Sequence, residues 1–155
     1  MTPPAGQATD RATTLTEQVH DVPDPELPHV TIGDLGIVRS VAVAGQVARV
    51  VLTPTYSGCP ATEQIADDVA AAVRAAGFEP IVTTVLAPAW TTEWVTPRGR
   101  ARLAAAGIAP PGEIVACPRC DSQLVRPVAH FGSTACKALY TCQACREPFE
   151  RFKPI

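Results

Sequence analysis

The stretch that decides the fold is Cys117-Pro118-Arg119-Cys120 followed, after 21 intervening residues, by Cys142-Gln143-Ala144-Cys145. Two residues between thiolates let each pair curl into a knuckle, with both sulfurs and the turn's N–H groups facing one ion. Four thiolates at about 2.3 Å give zinc a closed tetrahedral shell. The separation exceeds the usual range of about 15–20 by one residue, which a loop absorbs.

Gln123–Ala129 and Ala138–Thr141 both read as strands, and they return the second knuckle to the side of the first, as in a zinc ribbon. A segment this small cannot build its own core, so the metal supplies folding energy. Iron, in a rubredoxin-like or iron–sulfur site, and a pair of disulfides are the alternatives; disulfides are disfavoured in a reducing cytosol. Cys136 is a spare thiol beside Lys137, either a small buried residue or a reactive group near the metal. His130 reads as a strand-end residue once four cysteines are matched.

Outward from the knuckles the chain changes character. Residues 1–108 hold 7 basic and 11 acidic groups, and residues 109–155 hold 6 and 4. Ala109-Pro110-Pro111-Gly112 marks the join. The expected organisation is a flexible terminus over 1–8, a small α+β sheet-and-helix domain over 9–108, a linker at 109–112 and a zinc ribbon over 113–155. Of the 155 residues 46% are hydrophobic and 18% charged, a globular composition. A net charge of −2 excludes a generally basic nucleic-acid binder, and 5% aromatics argue against a base-stacking platform. No stretch approaches the roughly 20 apolar residues of a bilayer span, and Met1–His20 lacks a secretory apolar region. A cytoplasmic protein that binds neither membrane nor nucleic acid is expected.

In the first domain, Thr9–Val19 reads as a short helix, Gly36–Val43 and Gln46–Pro54 as a hairpin, and Glu79–Leu86 as a third strand. Between them Gly58-Cys59-Pro60 opens a helix to about Ala76, with Ile65, Val69, Ala72 and Val73 as its apolar stripe. Thr96–Ala106 reads as a last helix. Cys59 at a helix N-terminus is expected to have a lowered thiol pKa. Asp24-Pro25-Glu26 puts two carboxylates on a rigid loop, and Asp34 adds a third. Such groups either bond their own backbone or join a thiol in a transient metal site or a nucleophile–base pair, with His29 as a further candidate member. No phosphate-binding loop, HExxH or GxSxG is present. Trp90 and Trp94 read as core or as a docking surface.

Asp24-Pro25-Glu26, Asp34-Leu35-Gly36 and Gly58-Cys59-Pro60 together resemble the small domain of iron–sulfur assembly factors of the SufT and cytosolic targeting-factor type. The tail, with its two Cys pairs, Phe131–Lys137, Tyr140, Glu147-Pro148-Phe149 and Phe152-Lys153, resembles the PaaD (PaaJ) component of bacterial 1,2-phenylacetyl-CoA epoxidase systems. The likeness runs over roughly Leu15–Ile155. Asp121 departs from it, standing where many ribbon knuckles place Gly.

The resemblance implies a role in aerobic phenylacetate catabolism as an accessory subunit without catalysis of its own. Such a subunit helps mature an iron–sulfur or di-iron centre in an oxygenase or reductase partner. Carried over, Cys59 with Asp24 and Glu26 forms the assembly motif, handling iron or an iron–sulfur unit transiently, while Cys117, Cys120, Cys142 and Cys145 bind zinc. A purely structural bridging subunit and a Cys59-dependent enzyme are the competing readings.

Overall fold

The computed structural model describes residues 5–154, which form two compact units dividing between Trp90 and Thr91. In the first unit, helix α1 (Ala5–His20) precedes strands β1 (Val38–Ala44) and β2 (Val47–Leu52), helix α2 (Thr62–Ala75) and strand β3 (Glu79–Thr84). β1 and β2 form a hairpin that turns through Gly45, whose φ of +62° suits a residue without a Cβ. β3 returns parallel to β2 by way of α2, giving the order β1-β2-β3.

The core follows from two periodicities. Ile65, Val69 and Val73 recur every four residues on the buried side of α2, while Ala48, Val50 and Leu52 alternate inward along β2. Leu15 and Val19 of α1 are fully buried. Each such side chain contributes about 1.5–3 kcal/mol on leaving water.

The residue 21–37 loop is tied to the end of α1. The Gly33 N–H bonds the His20 carbonyl at 3.0 Å, and Ile32 N–H bonds Val22 O at 2.9 Å. Gly33 has no room for a side chain, since a Cβ there would lie 2.6 Å from the His20 carbonyl oxygen.

Two boundaries differ from expectation. α1 begins at Ala5, so residues 5–8 of the expected flexible terminus are helical, and residues 1–4 lie outside the described range. α2 begins at Thr62, two residues beyond Pro60, because a turn intervenes: Cys59 N–H bonds Tyr56 O at 3.2 Å.

In the second unit a 3-10 turn (Thr92–Trp94) precedes helix α3 (Pro97–Ala105), β4 (Ile108–Ala109), β5 (Val125–Ala129), β6 (Lys137–Cys142) and β7 (Pro148–Phe152). Thr96 caps α3, its hydroxyl oxygen accepting from the Gly99 N–H at 3.0 Å. The sheet order is β4-β7-β6-β5. β7 escapes the sequence reading, although Phe149 and Phe152 are buried in the core.

The division between units lies upstream of residues 109–112, where the sequence suggests a linker. Ala109 is buried in β4, which pairs in parallel with β7. α3 thus belongs to the same unit as the ribbon strands. Among the described residues no helix is long and apolar enough to cross a membrane.

Candidate functional site

The two knuckles of the second unit are built alike. In the first, Cys117 N–H bonds Ser122 O at 2.9 Å and Asp121 N–H bonds Cys117 O at 2.8 Å. In the second, Cys142 N–H bonds Glu147 O at 2.9 Å and Arg146 N–H bonds Cys142 O at 3.1 Å. Closing each turn takes a residue in the left-handed region: Asp121 at φ 64° and Arg146 at φ 68°. The departure at Asp121 is visible in the sequence, whereas its counterpart Arg146 emerges only from the backbone.

β6 runs into Cys142 and pairs with both β5 and β7, which sets the two knuckles face to face. The ligand atoms of Cys117, Cys120, Cys142 and Cys145 all lie within 4.8 Å of one another. Cys117 Sγ is 3.7 Å from Cys145 Sγ, and Cys120 Sγ is 3.6 Å from Cys142 Sγ. A regular tetrahedron with 2.3 Å metal–sulfur bonds has edges of about 3.8 Å, so the donor set fits zinc.

None of the four is in a disulfide. The Cys145 N–H points at Cys142 Sγ from 3.5 Å, and with the Ala144 N–H it draws the Cys142 thiol down to about 6. Cys145, by contrast, is pushed up to about 12 and Cys120 is raised, so the cluster shares its protons unevenly and a bound metal would displace those that remain. Cys117 and Cys142 are buried with Ala109 and Phe149, whereas Cys120 faces solvent.

Cys136 and His130 stand outside this cluster. Cys136 is buried, its sulfur 3.0 Å from Thr134 Oγ1. The His130 carbonyl accepts from Lys153 Nζ at 3.1 Å.

The first unit brings Cys59 together with two of the three carboxylates. Asp24 is buried, and its Oδ1 accepts the N–H groups of Glu26 and Leu27, both at 2.9 Å. This turn orients Glu26. Asp34, fully buried, instead closes its own turn: it accepts the Thr31 N–H at 3.1 Å while its N–H donates to Thr31 Oγ1 at 3.0 Å. His29 is exposed on the same loop.

The Cys59 thiol is raised above its ordinary 9.0, which overturns the lowered value expected at a helix N-terminus. Burial is the largest cause. The Ala61 N–H and the Thr62 hydroxyl pull the other way, and the negative charges of Glu26 and Asp24 raise it further. Cys59 lies three residues before the first residue of α2, and its carbonyl, not its sulfur, receives the Thr62 N–H at 3.2 Å.

Thr53 is a residue that sequence reasoning passes over: it is buried one residue past the end of β2, and its Oγ1 has no hydrogen-bond partner. The only signal is a hydroxyl continuing an apolar strand into Pro54. Trp90 is buried, and its indole N–H donates to the Leu35 carbonyl at 2.7 Å, locking the loop that carries Asp34. Trp94 lies half-buried in the 3-10 turn of the second unit.

Two family profiles match. The one described as iron-sulfur cluster assembly protein covers residues 14–86, and the one described as PaaD zinc beta ribbon domain covers residues 108–153. A protein of Escherichia coli (strain K12), provisionally named as the D subunit of 1,2-phenylacetyl-CoA epoxidase, is 47% identical over 93% of this chain and 98% of its own. Among solved structures, the DUF59 domain from Bacillus anthracis is 29% identical with a TM-score of 0.58, covering 64% of this chain and 97% of that one. A conserved hypothetical protein from Thermotoga maritima is 26% identical with a TM-score of 0.49, covering 57% and 89%. An assembly-type first domain joined to a four-cysteine ribbon, with identity along nearly the whole length, places this chain in the PaaD family of phenylacetyl-CoA epoxidase subunits.

Proposed function

We propose that the protein is an accessory subunit of a phenylacetyl-CoA epoxidase system that helps mature an iron–sulfur or di-iron centre in an oxygenase or reductase partner. It performs no catalysis of its own. The observation that carries this reading is the meeting of Cys59 with Glu26 and Asp24 in a domain of the iron–sulfur assembly family. A half-buried thiol beside two carboxylates offers one soft and two hard donors, a set suited to holding iron briefly as cargo. Cys117, Cys120, Cys142 and Cys145 hold zinc, which ties the two knuckles together and completes the ribbon.

Metal content per chain after anaerobic purification is the first test: one zinc is expected, with iron present at most in part. In a reconstituted pathway, Cys59→Ala should lower the client's iron content and epoxidase activity while leaving the zinc in place. Unchanged client iron would refute the transfer role and favour a structural bridging subunit.

A further inference from the structure

Of the six cysteines in the chain, Cys120 alone is exposed. Cys117, Cys136 and Cys142 are buried, and Cys59 and Cys145 are half-buried. The one sulfur open to solvent therefore belongs to the four-cysteine cluster. Oxidation of cysteine follows thiolate character and exposure together, and a metal-bound Cys120 has both. Cys59 is half-buried and held protonated, so it lacks the first.

An oxidised thiol also needs a second one within reach to resolve it. Cys142 Sγ, in the opposite knuckle, lies 3.6 Å from Cys120 Sγ. The two knuckles are joined by more than their sulfurs. Gln143 N–H bonds Leu124 O at 2.8 Å, and Arg119 pairs with Glu147 at 3.1 Å. These contacts keep Cys142 beside Cys120 when the metal bonds break.

We infer that the cluster is an oxidant-sensitive switch: hydrogen peroxide reaches it at Cys120, and the Cys120 sulfur closes on Cys142 in a disulfide that expels the metal. The inference rests on the reading of this cluster as a zinc site. The Cys120 thiolate attacks one peroxide oxygen; an S–O bond forms, the O–O bond breaks and hydroxide leaves. The Cys142 thiolate then attacks the Cys120 sulfur; an S–S bond forms, the S–O bond breaks and a second hydroxide leaves. Two thiolates have lost two electrons, and one peroxide has gained them. Cys117 and Cys145, with sulfurs 3.7 Å apart, remain as two donors and cannot complete a tetrahedral shell. The disulfide then ties the knuckles together in place of the ion.

The test treats the full-length zinc-loaded protein with hydrogen peroxide. Zinc release is followed with a chromophoric chelator, and disulfides are mapped by peptide mass spectrometry after alkylation. Loss of the zinc together with a Cys120–Cys142 disulfide is expected, and dithiothreitol with added zinc should reverse both. Cys120→His keeps a zinc donor and removes the reactive sulfur, so this variant should retain its zinc under the same peroxide. Should Cys120→His fail to load zinc, the wild-type disulfide map decides alone. A wild-type protein that keeps its zinc and its reduced cysteines overturns the switch and leaves the zinc reading standing. A first disulfide within one knuckle, or oxidation that begins at Cys59 or Cys136, overturns it equally. Protein purified anaerobically without any zinc overturns the zinc reading as well.

Discussion

The backbone of the second knuckle offers a clean perturbation. Arg146 closes that turn at φ 68°, a conformation that costs a residue with a Cβ about 1–2 kcal/mol. Arg146→Gly removes the cost but also removes a positive charge beside four thiolates. Arg146→Ala removes the same charge and keeps the Cβ, so the pair isolates the backbone contribution. Against the relief stands the greater freedom of Gly in the unfolded chain, about 0.4–1 kcal/mol. The net gain of Gly over Ala is therefore about 1 kcal/mol.

In a metal-built fold this gain reads out as metal affinity, because binding and folding are one event. The Gly variant should bind zinc about 5-fold more tightly than the Ala variant, measured by competition with a chromophoric chelator. Asp121→Gly, compared with Asp121→Ala, makes the same comparison in the first knuckle at φ 64°. Native Asp is a residue that tolerates this region, so Asp121→Gly should improve less on wild type than Arg146→Gly does, whereas the Gly-over-Ala difference should be alike in the two knuckles. Equal or weaker zinc binding by Arg146→Gly relative to Arg146→Ala would show that the turn is not under this strain in the loaded protein.

The first unit gives three further expectations. Trp90→Phe leaves the Leu35 carbonyl buried without its donor, which should cost about 1–3 kcal/mol in urea denaturation followed by circular dichroism. Gly33→Ala forces a Cβ against the His20 carbonyl, backbone that cannot swing aside. A loss of about 1–3 kcal/mol is expected there, against nearly none for Gly6→Ala, which meets only open space. The raised Cys59 pKa keeps the thiol neutral at pH 7, so iodoacetamide should modify it slowly, and Glu26→Gln should speed the reaction by removing a repelling charge. The same shift sets a pH dependence. The folded state holds its proton more tightly than the unfolded one, so this contribution is intact below 9.0 and is lost as pH climbs through the folded value.

Local chemistry is what the sequence exposes best. Two CxxC pairs with strand-like residues between them reveal a ribbon, because four sulfurs around one ion leave little freedom for the chain between. The β2–α2–β3 crossover is equally legible, from an apolar stripe of period 3.6 between two β-branched runs. The Cys59 pKa is misjudged from sequence because helix position is visible there and burial is not. A short turn and a half-buried sulfur reverse the sign a helix terminus would give. The expected join at 109–112 misleads for a related reason. Two prolines and a glycine look like a linker, but Ala109 pairs with β7, and that pairing depends on residues some forty positions away. β7 itself is obscured by Glu150 and Arg151, charged residues that bond the 130–137 loop and the Gly112 carbonyl.

The raised pKa alters what the first unit is suited to do. A thiol lowered by a helix terminus would be a standing nucleophile, open to oxidants and alkylating agents. Cys59 is instead kept protonated by burial and by Glu26 and Asp24. The carboxylate field that disfavours a thiolate favours a cation, since both effects have one electrostatic origin. Under the proposed transfer role, an arriving metal ion would neutralise the two carboxylates and take the place of the thiol proton, coupling capture to proton release. Neutralising Glu26 should therefore act in opposite directions on two readouts: Glu26→Gln makes Cys59 more reactive toward iodoacetamide and weakens its capture of Fe(II) under anaerobic conditions. A simple nucleophile would show the first change without the second, and a purely structural cysteine would show neither.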